Sequence, residues 1–389
     1  MKKIILILLV LSLTGCWNYT ELNNLAITTG FAVDFIDNEF EVTILISNSQ
    51  KKTSTNSQTV ASSAVYSGKG KTIFEAIKDT SMAVSKQIYL SHIEVLVLSE
   101  EVAKNKTKEV IDFFFRYPQT RNEFLMVIAE NCNAKDTFEV TTPLETFPSQ
   151  NISKNLEITN MLQGYIYTVT FNEFVRAIIE EGRNPVLPTI SIIGNIEKGN
   201  KEENVEQNKP QTYLKLGMMA IFNGFDLIKI SNKDQSKGIN LIDDKIHTTL
   251  ISNQYKDGYV IVELLDSKSD INVEIKDDMP KIKIKIKANG AIEEVSGNID
   301  IEQIEEINNI REASEDEIVR IVNEAIAFSK EIKTDILGFG NLIYKKDYKF
   351  WKKIKEKWQS EMLSEIEVET KVTLDLKAKG KIDSVIEVN

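Results

Sequence analysis

A chain that opens with Lys2 and Lys3, runs apolar over residues 4–13 and then reads Leu13-Thr14-Gly15-Cys16 is committed to folding on the far side of a membrane. The apolar run is too short to span a bilayer, which takes roughly 20 residues, so residues 1–15 read as a secretion signal with a basic n-region and an apolar h-region. The last four residues form a lipobox. Small side chains beside the cut admit a peptidase, and the thiol of Cys16 is the group to be acylated. Each buried CH₂ stabilises membrane attachment by about 0.8 kcal/mol, so a diacylglyceryl anchor of palmitate-type chains holds where a single chain would not. The full arrangement argues against a short transmembrane anchor and places the body on the outer face of a bacterial membrane.

That body must hold itself together by packing. Cys132 is the one cysteine besides the anchor residue, so no intramolecular disulfide is available. Following the strand-like stretch 124–129, it reads as a small half-buried residue rather than a reactive thiol. Hydrophobic residues make up 42% of the 389, enough for real cores, and about 100–200 residues per domain suggests two or three units. Removing Lys2 and Lys3 takes the net charge from -11 to -13. An acidic body is repelled by phosphate backbones, which excludes a nucleic-acid partner.

In chain order, residues 25–36 and 39–47 read as a hairpin around Asp37-Asn38, followed by a polar loop over 48–59. Gly70-Lys71-Thr72 fails as a phosphate loop because Val65 stands where that motif needs glycine. Thr72 and Glu75 instead form a capping box ahead of a helix. Residues 93–98 and 124–129 are strands, and residues 171–181 an amphipathic helix stopped by Gly182. The stretch 199–212, almost without apolar residues, reads as a linker between an N-terminal unit (16–198, with room for two subdomains) and a C-terminal unit (213–389). In the latter, Ile282, Ile284 and Ile286 alternate with lysines, a half-buried strand whose lysine face suits a sheet edge. Ser314 and Glu317 suggest a second capping box, and Asp335 a further helix start. Trp351, Ile354 and Trp358 share a helix face, which favours core packing for the two tryptophans. The fold class is α+β, a multi-domain ectodomain of mixed sheets packed with helices, and no βαβ rhythm is visible.

The chain lacks the patterns of catalysis. No Gly-x-Ser-x-Gly, His-Glu-x-x-His or Cys-x-x-Cys occurs, and His92 and His247 stand alone. Glu302, Glu305 and Glu306 have the spacing of a solvated helix face. No metal site, cofactor or enzymatic activity is expected.

Several pieces together resemble the Ger(x)C family, the C-subunit lipoproteins of GerA-type nutrient germinant receptors. They are Gly15-Cys16-Trp17 with Glu21-Leu22, Leu90-Ser91-His92, residues 112–116 with Pro118 and Arg121, Asn184-Pro185-Val186-Leu187-Pro188, residues 216–222, and Asp335-Ile336-Leu337-Gly338-Phe339-Gly340 with Trp351 and Trp358. Asn18 stands where the family usually has Asp. The resemblance implies a non-catalytic interaction subunit working beside two polytopic membrane subunits, of A and B type, on the extracytoplasmic face of the spore inner membrane. Candidate contact residues are the membrane-proximal Trp17 and Tyr19 and the turn Gly338-Phe339-Gly340. A solute-binding lipoprotein feeding a transporter is the alternative. That architecture needs two similar α/β lobes around a cleft, and no internal repeat appears.

Overall fold

A computed structural model describes residues 21–48, 61–297 and 299–378. The signal segment, the anchor Cys16 and the aromatic residues Trp17 and Tyr19 lie outside the described residues, as does all but the first residue of the polar stretch 48–59. The architecture is α+β, with two mixed sheets packed against helices.

The first sheet grows from β1 (Leu25–Ile36) and β2 (Glu39–Ser47). Asp37 and Asn38 both take positive φ, 55° and 64°, forming the two-residue primed turn whose twist matches its flanking strands. β3 (Ser63–Gly70) lies outside β2, and β4 (Gln87–Tyr89) beside the start of β1. Beyond β1 follow β5 (Val95–Ser99), β6 (Leu125–Ala129), β7 (Val186–Ile193), β8 (Tyr213–Asn223) and β9 (Asp226–Ile230). Every residue of β5 is buried, as expected of a strand covered on both faces.

Two expectations fail here. β1, β5, β6 and β7 run parallel, so a βαβ core is present after all. Its rhythm is hidden because the crossover helices are short and broken. α1 (Ile73–Ala83) precedes β4, while α2 (Glu100–Asn105) and α3 (Thr107–Arg116), split at Lys106, join β5 to β6. α4 (Asp136–Glu139), α5 (Pro148–Leu162) and α6 (Phe171–Ile179) join β6 to β7. The stretch 199–212 is not a free linker. Asn204 is buried, donates to the Thr212 carbonyl at 2.9 Å and accepts from the Gln211 and Thr212 N–H groups at 3.0 Å each, so its polarity is satisfied internally. β8 then pairs with β7, and the first sheet continues to Ile230. Residues 213–230 therefore pack with the N-terminal strands.

α7 (Lys233–Ile242) leads to the second sheet, ordered β10 (Thr249–Tyr255), β11 (Gly258–Lys276), β12 (Met279–Val295) and β13 (Glu367–Ala378). The alternation in β12 is as expected: Ile282, Ile284 and Ile286 are buried. Its lysine face is not an edge, because β11 and β13 flank β12. Carboxylates on those neighbours answer the lysines, with Lys281 3.3 Å from Glu369 and Lys283 2.8 Å from Glu274. α8 (Ile304–Glu331) covers the other face and begins ten residues before Ser314. Ser314 is not a cap. It takes the buried stripe position between Ile310 and Ile318, donates to the Ile310 carbonyl at 2.8 Å and accepts from Asn253 Nδ2 at 2.7 Å. α9 (Phe339–Lys346) and α10 (Tyr348–Lys357) follow, α10 carrying Trp351 and running into a π-helical turn, Trp358–Met362, that opens with Trp358.

Candidate functional site

Two of the pieces of sequence that the resemblance singled out, residues 184–188 and residues 335–340 with Trp351 and Trp358, meet at one junction. The loop between α6 and β7, residues 180–185, lies against the start of α9. Gly182 has φ of 75°, a region that L side chains rarely adopt, and its backbone lies directly on Gly340 and Asn341. The Gly182 carbonyl accepts the Asn341 N–H at 2.9 Å, and the Glu181 carbonyl accepts Asn341 Nδ2 at 2.9 Å. A Cβ on Gly340 would stand 2.7 Å from Trp351 Cη2 and from Trp358 Nε1, so only glycine lets the indoles close over the turn.

Asp335 organises this packing. Its side chain is fully buried, with Oδ1 accepting the Phe339 N–H at 3.0 Å and Oδ2 accepting the Gly340 N–H at 2.6 Å and Trp358 Nε1–H at 2.8 Å. Burial pushes its carboxyl up from the ordinary range, while the three N–H donors and the nearby Arg183 charge pull it down. The helix starts at Phe339 with Gly338 as its N-cap, later than the start expected directly after Asp335, yet the Asp335 carboxylate accepts its first two N–H groups and ties them to a tryptophan 23 residues on. Trp351 Nε1 donates to Glu181 Oε2 at 2.9 Å, so each buried indole N–H spends its donor on a carboxylate of the junction.

Two further residues extend the network. Asn184 donates through its backbone N–H to the Asp335 carbonyl at 2.8 Å and through Nδ2 to Gln359 at 3.1 Å, and it accepts from the Gly224 N–H at 3.0 Å. It therefore joins the first sheet, the β8–β9 turn and the tryptophan segment. Arg183 pairs at 2.5 Å with Asp243, which also accepts from Tyr167 OH at 3.1 Å. Burial raises Asp243 and Arg183 lowers it, while the Asp243 charge holds the guanidinium firmly protonated.

Gly338, Phe339 and Gly340 do not form an exposed contact face. All three are buried, Gly338 with φ of 70° against the Arg183 side chain and Phe339 at 1% exposure. Trp351 and Trp358 are core residues at 3% and 1% exposure. No motif or spacing links Glu181, Gly182, Arg183 and Asp243 to one site, and Gly182 reads as a helix stop and nothing more. Among the described residues no group of three or more His, Cys, Asp or Glu could hold a metal ion, and His92 stacks edge-on against Tyr89. The carboxylates of the junction are committed to fixed donors. The arrangement locks residues 181–184 to the start of α9 and to the tryptophan segment.

Comparison with known proteins finds two family models along the chain, the second beginning inside β8, a strand of the first sheet. Residues 18–192 match the family model of the spore germination protein N-terminal domain, and residues 217–380 that of the spore germination B3/GerAC-like C-terminal domain. The interval between the matches contains the pinned stretch 199–212. The chain is 26% identical to spore germination protein KC of Bacillus subtilis (strain 168) over 386 residues, covering 97% of this chain and 95% of that protein. It is 25% identical to spore germination protein A3 of the same organism over 395 residues, covering 95% of each. The crystal structure of the GerBC protein superposes with a TM-score of 0.54 at 17% identity, covering 89% of this chain and 96% of that one, which establishes a shared fold.

Proposed function

This chain belongs to the Ger(x)C family of spore germination proteins, whose two domain models it matches in order, and from that premise we propose that it is the lipid-anchored C subunit of a nutrient germinant receptor. Acylated Cys16 holds the body on the extracytoplasmic face of the spore inner membrane. There it meets two polytopic subunits, of A and B type. Confinement to the bilayer plane raises the effective concentration of the body beside them, so modest contacts suffice for assembly. Trp17 and Tyr19, one and three positions beyond the anchor, are the membrane-proximal contact candidates. The role is one of assembly and relay without turnover, a reading supported by the commitment of the buried carboxylates to the junction.

The in-order match of both domain models carries this reading. The solute-binding alternative is dropped, because the relatives spanning nearly the whole chain are spore germination proteins. Its test is Cys16→Ala in spores. The variant is expected to leave the membrane fraction as a folded body and to weaken the germination response; normal membrane retention would overturn the anchor assignment.

A further inference from the structure

A cleft of about 1400 Å³ opens beside the first sheet, lined by the β1–β2 hairpin, the start of α1, α3 and the β8–β9 turn. Phe35, Phe40, Phe74, Phe113, Tyr117 and Phe225 supply its apolar walls. Phe74 is 50% exposed, with only the Lys78 ammonium over its ring, 5.3 Å from the centroid. Its polar lining is rich in donors. Lys71 and Lys108 line the cleft without an ion pair within 4 Å among the described residues, although Lys108 acts electrostatically on Asp112; Lys106 and Arg116 are paired with Glu109 and Asp112, and Asp226 adds a carboxylate. The first turn of α1, at Thr72 and Ile73, also lines it, adding the positive end of a helix of 11 residues. The Tyr117 hydroxyl has no hydrogen-bond partner among the described residues. In a chain of net charge -11, an aromatic cleft lined by four cations (Lys71, Lys106, Lys108, Arg116) against three carboxylates (Glu109, Asp112, Asp226) is complementary to an apolar segment that carries carboxylates. Its volume exceeds the roughly 300–1,000 Å³ of small-molecule sites and suits several side chains at once.

We propose that this cleft seats an amphipathic, acidic segment of one of the polytopic receptor subunits, with its apolar side chains among the phenylalanines and its carboxylates on Lys71 and Lys108. The proposal rests on the receptor-subunit reading above. The cleft also touches the junction, since the Gly224 N–H of its β8–β9 wall is held by Asn184, so an occupant there presses on the turn that Asn184 ties to Asp335.

The test uses the full lipidated chain in spore membranes, with a photo-crosslinking residue at position 74 and, as a control, at Met82, which is 81% exposed on the same helix and does not line the cleft. The expected adduct at position 74, absent at position 82, maps to an acidic segment of a polytopic subunit. The Lys71→Glu/Lys108→Glu double variant is expected to lower co-purification of that subunit about ten-fold, as loss of rim charges does, while membrane retention and thermal melting stay unchanged. Adducts at position 74 only with phospholipid, with a second copy of this chain or with a small nutrient analogue, or co-purification indifferent to the charge reversal, would overturn the cleft assignment and leave the receptor reading standing. Failure of the unmodified chain to co-purify with either subunit would sink both.

Discussion

Asp335 and Asp34 are built alike and surrounded differently. Each is a buried carboxylate that accepts two consecutive backbone N–H groups at the start of a helix: Phe339 and Gly340 for Asp335, Ala134 and Lys135, at 2.8 and 2.9 Å, for Asp34. At Asp335 a third donor, Trp358, arrives from another helix, and Arg183 lies close enough to favour the charge. At Asp34 the next neighbours are Glu41 and Asp136, which add to the effect of burial and push the carboxyl up to about 6. The same local device therefore serves as a cross-helix lock in one place and, in the other, as a carboxyl raised to about 6, burial raising both. What separates the two is the second layer: an indole N–H and Arg183 at Asp335, and at Asp34 two further carboxylates, of which Glu41 takes up the Lys135 ammonium at 3.1 Å.

The largest expected effect breaks the lock. Asp335→Ala strands three buried N–H donors and removes the tie between the α9 cap and Trp358. It is expected to cost about 3–5 kcal/mol in urea denaturation, the range for breaking a buried, hydrogen-bonded charge. A loss below about 1 kcal/mol would mean that the turn is held by packing alone.

The second expectation sharpens the contrast through pH. The ordinary carboxyl value for Asp34 is 3.8 and its folded value is about 6, so between those limits the folded chain binds the extra proton. The unfolded state then holds fewer protons, and stability falls as pH rises from about 4 to about 6, by up to about 3 kcal/mol for a shift of this size. Asp34→Asn is expected to flatten that part of the stability curve. Unchanged slopes for the variant and the parent would place the titration elsewhere, since burial also raises Glu94 and Glu139.

Much of this arrangement was legible and some of it was not, for reasons that differ by residue. The alternation of Ile282, Ile284 and Ile286 identified a half-buried strand, because one-sided burial writes itself as period two. Asp335 was recognisable as a cap, and Trp351 and Trp358 as core, because both are local to one helix. Ser314 misled: a capping-box pattern and a polar residue inside a core stripe look the same until the partner, Asn253, is known. Gly338 and Gly340 misled in the same way, since glycine marks an exposed turn and a close interior approach alike. The joining of Asp335 to Asn184 spans 151 positions, and no periodicity in either stretch encodes it.

A smaller effect tests how tightly the lock closes. Gly→Ala inside a helix ordinarily stabilises by up to about 1 kcal/mol. Gly340 is the second residue of α9, yet its added methyl would meet Trp351 and Trp358 at 2.7 Å. Overpacking of that kind costs about 1–3 kcal/mol, so the sign should reverse and Gly340→Ala should lower the melting temperature. A rise in melting temperature would show that the indoles can give way.

The smallest effect lies on the Asp34 side. Cys132 is half-buried, and burial pushes its thiol up to about 11, with Asp136, Asp34 and Glu100 adding their negative charge. At pH 8 a thiol of that value is about a hundred-fold less ionised than one near 9, and the thiolate is what reacts. Alkylation by iodoacetamide should accordingly be about a hundred-fold slower than for a free thiol, before any steric hindrance. Asp34→Asn removes one of the three carboxylates acting on the sulfur and should speed the reaction measurably, whereas Asp335→Asn, which does not act on Cys132, should leave it unchanged provided the chain stays folded. Equal acceleration by both variants would point to general loosening of the fold, and the distinction between a lock and a titrating site would then collapse into a single measure of stability.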